Sequence, residues 1–173
     1  KKGYEIRPED EISLAISAKG ETLICIDKEG NPLRKAIVWM DNRAVAEARA
    51  MEEKFGNELG YQVTGQVSFE PCWPAPKILW IRNNEPDIFA KTDRFLLLED
   101  YLIYRMTGRF YTEGSLVCSS MYWDITKKCY WKEMLDFIGI QEYQLAEVAE
   151  SAMVVDEMFT EVREELGLPC RVT

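Results

Sequence analysis

The sequence predicts an α/β fold, and two observations carry that reading. Short apolar runs at 12–16, 23–26 and 95–98, the first two rich in β-branched residues, have the patterning of strands. Between them lie segments whose apolar residues recur every three or four positions, as amphipathic helices require. Strands alternating with helices make an α/β domain.

The elements follow in chain order. Ile12, Leu14 and Ile16, then Leu23, Ile24 and Ile26, read as two strands within 12–27, broken at Ala18-Lys19-Gly20-Glu21. Lys28-Glu29-Gly30-Asn31 is a hairpin turn in which Gly30 is free to take positive φ. Residues 33–40 read as the returning strand, a near-continuous buried run ending at Trp39. Asp41 or Asn42 can cap the helix that follows by accepting a backbone N–H, and Val45, Ala48, Met51 and Phe55 mark its apolar face over 43–55. A short helix near 75–83 stops at Glu85-Pro86, because the residue before a proline is pushed out of helical geometry. A strand at 95–98 leads into a helix at 99–106 with Gly108 as its C-terminal cap. Residues 110–125 are mixed in pattern. Helices at 131–138, ended by Gly139, and at 157–166, capped by Asp156 and closed by Gly167-Leu168-Pro169, complete the chain.

Composition narrows the function. The 173 residues suit one domain with a single core. With 21 basic and 30 acidic residues, a net charge of −9 and no basic run, the sequence argues against nucleic-acid binding, which needs a basic face to release counterions. No apolar stretch approaches the ~20 residues that cross a bilayer. The five cysteines are scattered, odd in number and free of any C-x-x-C pair, which fits neither a disulfide framework nor a zinc site; a reducing cytoplasm is the expected compartment. Histidine is absent, so Ser-His-Asp and Cys-His nucleophile activation cannot be built from this chain. Any general base would be a carboxylate.

The most informative stretch is Cys72-Trp-Pro-Ala-Pro-Lys-Ile-Leu-Trp-Ile-Arg-Asn-Asn84. Pro74, Lys77, Ile78, Trp80, Ile81, Asn83 and Asn84 fit the N-terminal signature of the FGGY carbohydrate kinases, and Cys72 departs from it. The resemblance continues in order through Ile16–Thr22, Asp27–Leu33, the Trp39-Met-Asp41-Asn-Arg43 stretch and residues 97–108. It implies a ribonuclease-H-like fold of the actin, Hsp70 and sugar-kinase superfamily, with residues 1–173 an interior part of the N-terminal, sugar-binding domain. The family's Asp-Gly-Thr phosphate hairpin and the strand of its catalytic aspartate are expected outside these residues. The parent would use ATP and Mg²⁺, and this chain alone would bind neither and be inactive. Removing the family's first strands would leave a sheet edge open to a second copy, so a homo-oligomer is expected.

The resemblance also marks a substrate site. Lys19, Gly20 and Glu21 lie at a strand end, where open α/β sheets place ligands; Glu21 can accept hydrogen bonds from two sugar hydroxyls, or the turn is simply a polar surface hairpin. Trp39 would offer an indole face to a sugar, or fill core. Asp41 and Arg43 would orient hydroxyls or each other. Cys72 stands where glycerol kinases carry a substrate-contacting tyrosine, and its smaller side chain leaves room for a longer substrate such as a ketopentose; the alternative is a buried, inert thiol. Lys77 and Trp80 read as structural, the indole in the core and the lysine stem over it. No G-x-x-x-x-G-K-[ST] loop is present to hold a nucleotide. The implied parent is a ketopentose kinase of the xylulose type. Glycerol, gluconate or other polyol kinases, and a non-catalytic domain that kept the fold, are the alternatives.

Overall fold

The computed structural model describes residues 5–173 and is mixed α/β. Its centre is a two-stranded antiparallel ribbon of β2 (Leu23–Ile26), with β1 being Glu11–Ile12, and β3 (Arg94–Leu97). Leu23 faces Leu97, and Cys25 faces Phe95. Alternate residues of a strand point to opposite faces, and here both faces are covered. Leu23, Cys25 and Phe95 join the main core with Ile37, Met51, Ile78, Ile81 and Ile138. Ile24, Ile26 and Leu96 join a smaller core with Ala146, packed by Leu98, Tyr101, Tyr104 and Phe110. Burial on both sides is why Leu-Ile-Cys-Ile reads as an unbroken apolar run.

The main core is walled by helices α1 (Val45–Phe55), α2 (Asn57–Thr64), α3 (Pro74–Asn84) and α4 (Pro86–Lys91). Helix α5 (Leu98–Thr107) follows β3 directly and ends on Gly108 in left-handed geometry. Then come β4 (Tyr111–Glu113), α6 (Gly114–Val117), a 3₁₀ turn at Cys118–Ser120, and the hairpin of β5 (Trp123–Asp124) and β6 (Cys129–Tyr130). Helix α7 (Lys132–Ile138), β7 (Glu147–Ala149, parallel to β4), α8 (Thr160–Glu165) and β8 (Arg171–Val172, parallel to β1) close the chain. Helix α3 is buried nearly all round, from Pro74 through Leu79 and again at Ile81; its prolines sit in the first turn, where no intrahelical N–H bond is lost. Among the described residues no helix is long and apolar enough to cross a membrane.

Several expectations need correction. Residues 33–40 are not a buried strand: single bridges join Leu23 to Ile37 and Ile26 to Pro32, and Val38, Trp39 and Met40 are exposed. The cause is local. Pro32 has no N–H to give, Arg34 turns away to pair with Glu85 at 2.6 Å, and the Val38 carbonyl is taken by Lys77 and by the Asp41 amide. The first expected strand shrinks to Glu11–Ile12, which pairs with Arg171–Val172, and the Leu14 N–H beyond it donates to the Thr173 carbonyl. Asp41 does not cap α1, which starts after Ala44 without a side-chain cap. Asp156 pairs with Arg109 instead of capping the last helix, which begins at Thr160.

Candidate functional site

The Lys19–Thr22 turn enters β2, and the Val38–Arg43 arm leaves the bridge at Ile37 and enters α1. Both lie over the N-terminal half of α3. Lys77, one helical turn into α3, has no exposed surface, and its Nζ donates to the Glu21 carbonyl at 2.7 Å and the Val38 carbonyl at 3.0 Å. One ammonium therefore touches the main chain of both segments. At the outer side, Lys19 Nζ sits 5.9 Å from the centre of the Trp39 ring, within cation–π range. The two segments share a rim.

Each residue singled out from the sequence has a definite place. Lys19 is exposed, Gly20 buried, and Glu21 half-buried above Lys77. Trp39 is 42% exposed, so it is not core. Asp41 is engaged by its neighbour: Oδ1 accepts from the Arg43 amide at 3.0 Å and from Nε at 2.9 Å, and Oδ2 accepts from the guanidinium at 2.7 Å. These bonds hold its carboxyl below the usual range. The two side chains orient each other. Cys72, on the turn before α3, is half-buried, and loss of hydration raises its thiol pKa despite the nearby Lys77. A protonated thiol is a small, weakly polar wall and a poor nucleophile.

Trp80 packs against the main core as expected, but Lys77 is the more deeply buried of the two. The lysine is inside, while the half-buried indole carries the Arg43 guanidinium over its ring at 4.7 Å. Loss of hydration also lowers the Lys77 pKa to about 8, an effect that the charges of Cys72, Asp41 and Glu21 oppose.

A third wall was not singled out from the sequence. Gly20 packs against α6 and the turn after it, so closely that a Cβ would come within 2.8 Å of Ser119 Oγ and 3.4 Å of the Leu116 carbonyl. Cys118 lies on this segment, half-buried, and the charges of Glu113 and Glu21 add to the rise in its pKa caused by burial. The bare glycine was the available signal, because a residue without a side chain permits close approach of another segment. The apolar and polar residues of 110–125 give no period that would have placed the partner.

The chemistry available is that of a polar ligand with an apolar face: a free carboxylate, an exposed indole, an exposed ammonium and two small thiol walls. Among the described residues no three His, Cys, Asp or Glu side chains converge as metal ligands. Residues 2–173 match the profile of the FGGY family of carbohydrate kinases, N-terminal domain. A xylulose kinase of Bacillus subtilis is 32% identical over 163 residues, covering 94% of this chain and 32% of that protein. A ligand-bound xylulose kinase from Lactobacillus acidophilus superposes with a TM-score of 0.85 at 23% identity, over 92% of this chain and 33% of the other. A glycerol kinase from Plasmodium falciparum, solved with ADP, superposes with a TM-score of 0.79 at 26% identity, over 88% and 31%. The chain spans about a third of the length of the curated relatives it matches.

Proposed function

This chain belongs to the FGGY family of carbohydrate kinases, and from that premise we propose that the whole protein transfers the γ-phosphoryl group of MgATP to a hydroxyl of a small sugar, a ketopentose such as xylulose. Its fold is that of the actin, Hsp70 and sugar-kinase superfamily. In phosphoryl transfer there is little covalent chemistry for a protein to perform, and positioning with charge stabilisation dominates. The part assigned to these residues is positioning of the acceptor. Glu21 accepts hydrogen bonds from sugar hydroxyls, Trp39 lies along the apolar face of the ring or chain, and Lys19 and Gly20 shape the turn between them. Asp41, fixed by Arg43, presents its remaining lone pairs at the rim, and Cys72 leaves space for a fifth carbon. The chain has no G-x-x-x-x-G-K-[ST] loop, and among the described residues no three His, Cys, Asp or Glu side chains form a metal-ligand cluster.

The observation that carries the reading is the shared rim: an exposed Trp39 beneath Lys19, with Glu21 and Val38 bonded to one buried ammonium. A polyol kinase is the second reading, favoured by Glu21, a hydroxyl acceptor suited to glycerol, and by the fold shared with a glycerol kinase. The five thiols, all free, suit a reducing cytoplasm. An ATP-dependent phosphorylation screen of the whole protein over ketopentoses, glycerol and gluconate tests the proposal. The highest kcat/KM is expected with a ketopentose. Turnover of glycerol or gluconate alone would favour the second reading, and no turnover of any sugar or polyol would leave a fold without the activity.

A further inference from the structure

We infer that Lys77 is the positioning residue of the sugar site, setting the distance between the Glu21 turn and the Trp39 arm by donating to a main-chain carbonyl of each. The inference rests on the sugar-kinase reading above and adds to it a residue that touches no substrate. Three observations carry it. Lys77 is among the largest side chains with no solvent exposure, and among the described residues no carboxylate lies within ion-pair distance of its ammonium. A buried, unpaired ammonium is unfavourable for folding, and an apolar side chain of similar length would fill the same space without that cost. Its two hydrogen bonds go to Glu21 and Val38, the residues that define the two walls of the site, at 2.7 and 3.0 Å.

The platform is rigid. Lys77 stands on α3 between Ala75 and Ile78, both without exposure, and the helix is clamped by α1, α4 and α7. The segments it bonds are less enclosed: Val38 to Met40 is exposed, and the last backbone bridge from this stretch to β2 among the described residues is at Ile37. Without the ammonium, the spacing between Glu21 and Trp39 would lose its buried tie to α3 and rest on the Ile37 bridge and the exposed cation–π contacts of Lys19 and Arg43, and a misplacement of about 1 Å in a binding site weakens it strongly.

The groups facing Lys77 are Glu21 from the turn, Asp41 and Arg43 from the arm, and Cys72 from the segment before α3. The mutual bonds of Asp41 and Arg43 lower the carboxyl pKa and raise that of the guanidinium, and burial raises the Cys72 thiol. Lys77 itself loses its proton at about pH 8, which weakens it as a donor.

The experiment is steady-state kinetics of the whole protein as wild type, Lys77→Met and Lys77→Gln, with thermal unfolding alongside. Lys77→Met is expected to raise KM for the ketopentose tenfold or more, to change KM for ATP less than twofold, and to keep or raise Tm. Lys77→Gln, which retains one donor group, should fall between and substitutes for Lys77→Met if that variant does not fold. Wild-type sugar KM should rise above pH 8, and that rise should vanish in Lys77→Met. A lower Tm with unchanged sugar KM would make Lys77 an anchor of the fold and overturn the inference. Wild-type protein inactive on every sugar and polyol would overturn the kinase reading instead, so the two failures are distinguishable.

Discussion

Replacing Gly20 by alanine tests the closest approach in the site. The added Cβ would meet Ser119 Oγ at 2.8 Å and both Leu116 Cδ1 and its carbonyl at 3.4 Å. The backbone of Gly20 is not in the left-handed region, so alanine fits its conformation and would gain about 0.4–1 kcal/mol through the unfolded chain. Against that, the Ser119 hydroxyl must leave the Leu116 carbonyl it bonds at 2.9 Å, a loss of about 1 kcal/mol. Forcing one methyl into a packed contact costs about 1–3 kcal/mol more. The net expectation is a destabilisation of about 1–3 kcal/mol, read as a drop of roughly 1 M in the urea midpoint. Equilibrium unfolding followed by tryptophan fluorescence gives the value. Repeating Gly20→Ala in a Ser119→Ala background removes the hydroxyl in question, so the cost should shrink by about 1 kcal/mol or more. An unchanged midpoint, or the same cost in both backgrounds, would refute the packing argument.

Two further outcomes follow from the fold. Gly30 has φ +83°, and a Cβ there would fall 2.0 Å from the Tyr104 hydroxyl, whose ring stacks on Phe110 at 4.5 Å; Gly30→Ala should therefore cost more than Gly20→Ala, about 2–4 kcal/mol in Tm-derived stability. Asp100 is buried, and burial raises its carboxyl from 3.8 to about 7 although the Leu97 N–H bonds it at 2.8 Å. The folded state then holds the proton more tightly than the unfolded chain between those values, so the contribution is full below about pH 4 and lost as pH rises through 7. At ~1.4 kcal/mol per pH unit the bound on that loss is about 4 kcal/mol. Asp100→Asn keeps an oxygen for Leu97 and carries no charge, so its Tm should exceed wild type at pH 8 and vary less between pH 5 and 8; parallel curves would contradict this.

What the sequence made legible were features fixed locally. The Leu23–Ile26 run, the face of α1 and the glycines after α5 and α7 each announce themselves within a few residues, and all are present. Helix α2 was hidden by Gly60, a poor helix residue kept because the Phe69 ring would lie 2.9 Å from a Cβ. Helix α4 was hidden by Pro86, read as a stop when it is the first residue of the next helix. Residues 33–40 looked like a strand because Ile37, Val38 and Trp39 suit one, yet a lysine 39 positions away in the chain takes the Val38 carbonyl. In the site, the residue types of Lys19, Glu21 and Trp39 were readable, and their convergence was not. That convergence depends on Lys77, and burial of a lysine leaves no trace in a hydropathy pattern. The approach of Leu116 and Ser119 to Gly20 is likewise long-range.

The central claim is that Glu21 and Trp39 grip the same sugar. Calorimetric titration of the whole protein with a ketopentose, comparing wild type with Glu21→Gln and Trp39→Ala, tests it most directly. The account predicts that each change weakens binding about tenfold or more, some 1.4 kcal/mol, with unfolding temperatures held. Two variants that bind the sugar as tightly as wild type would contradict it.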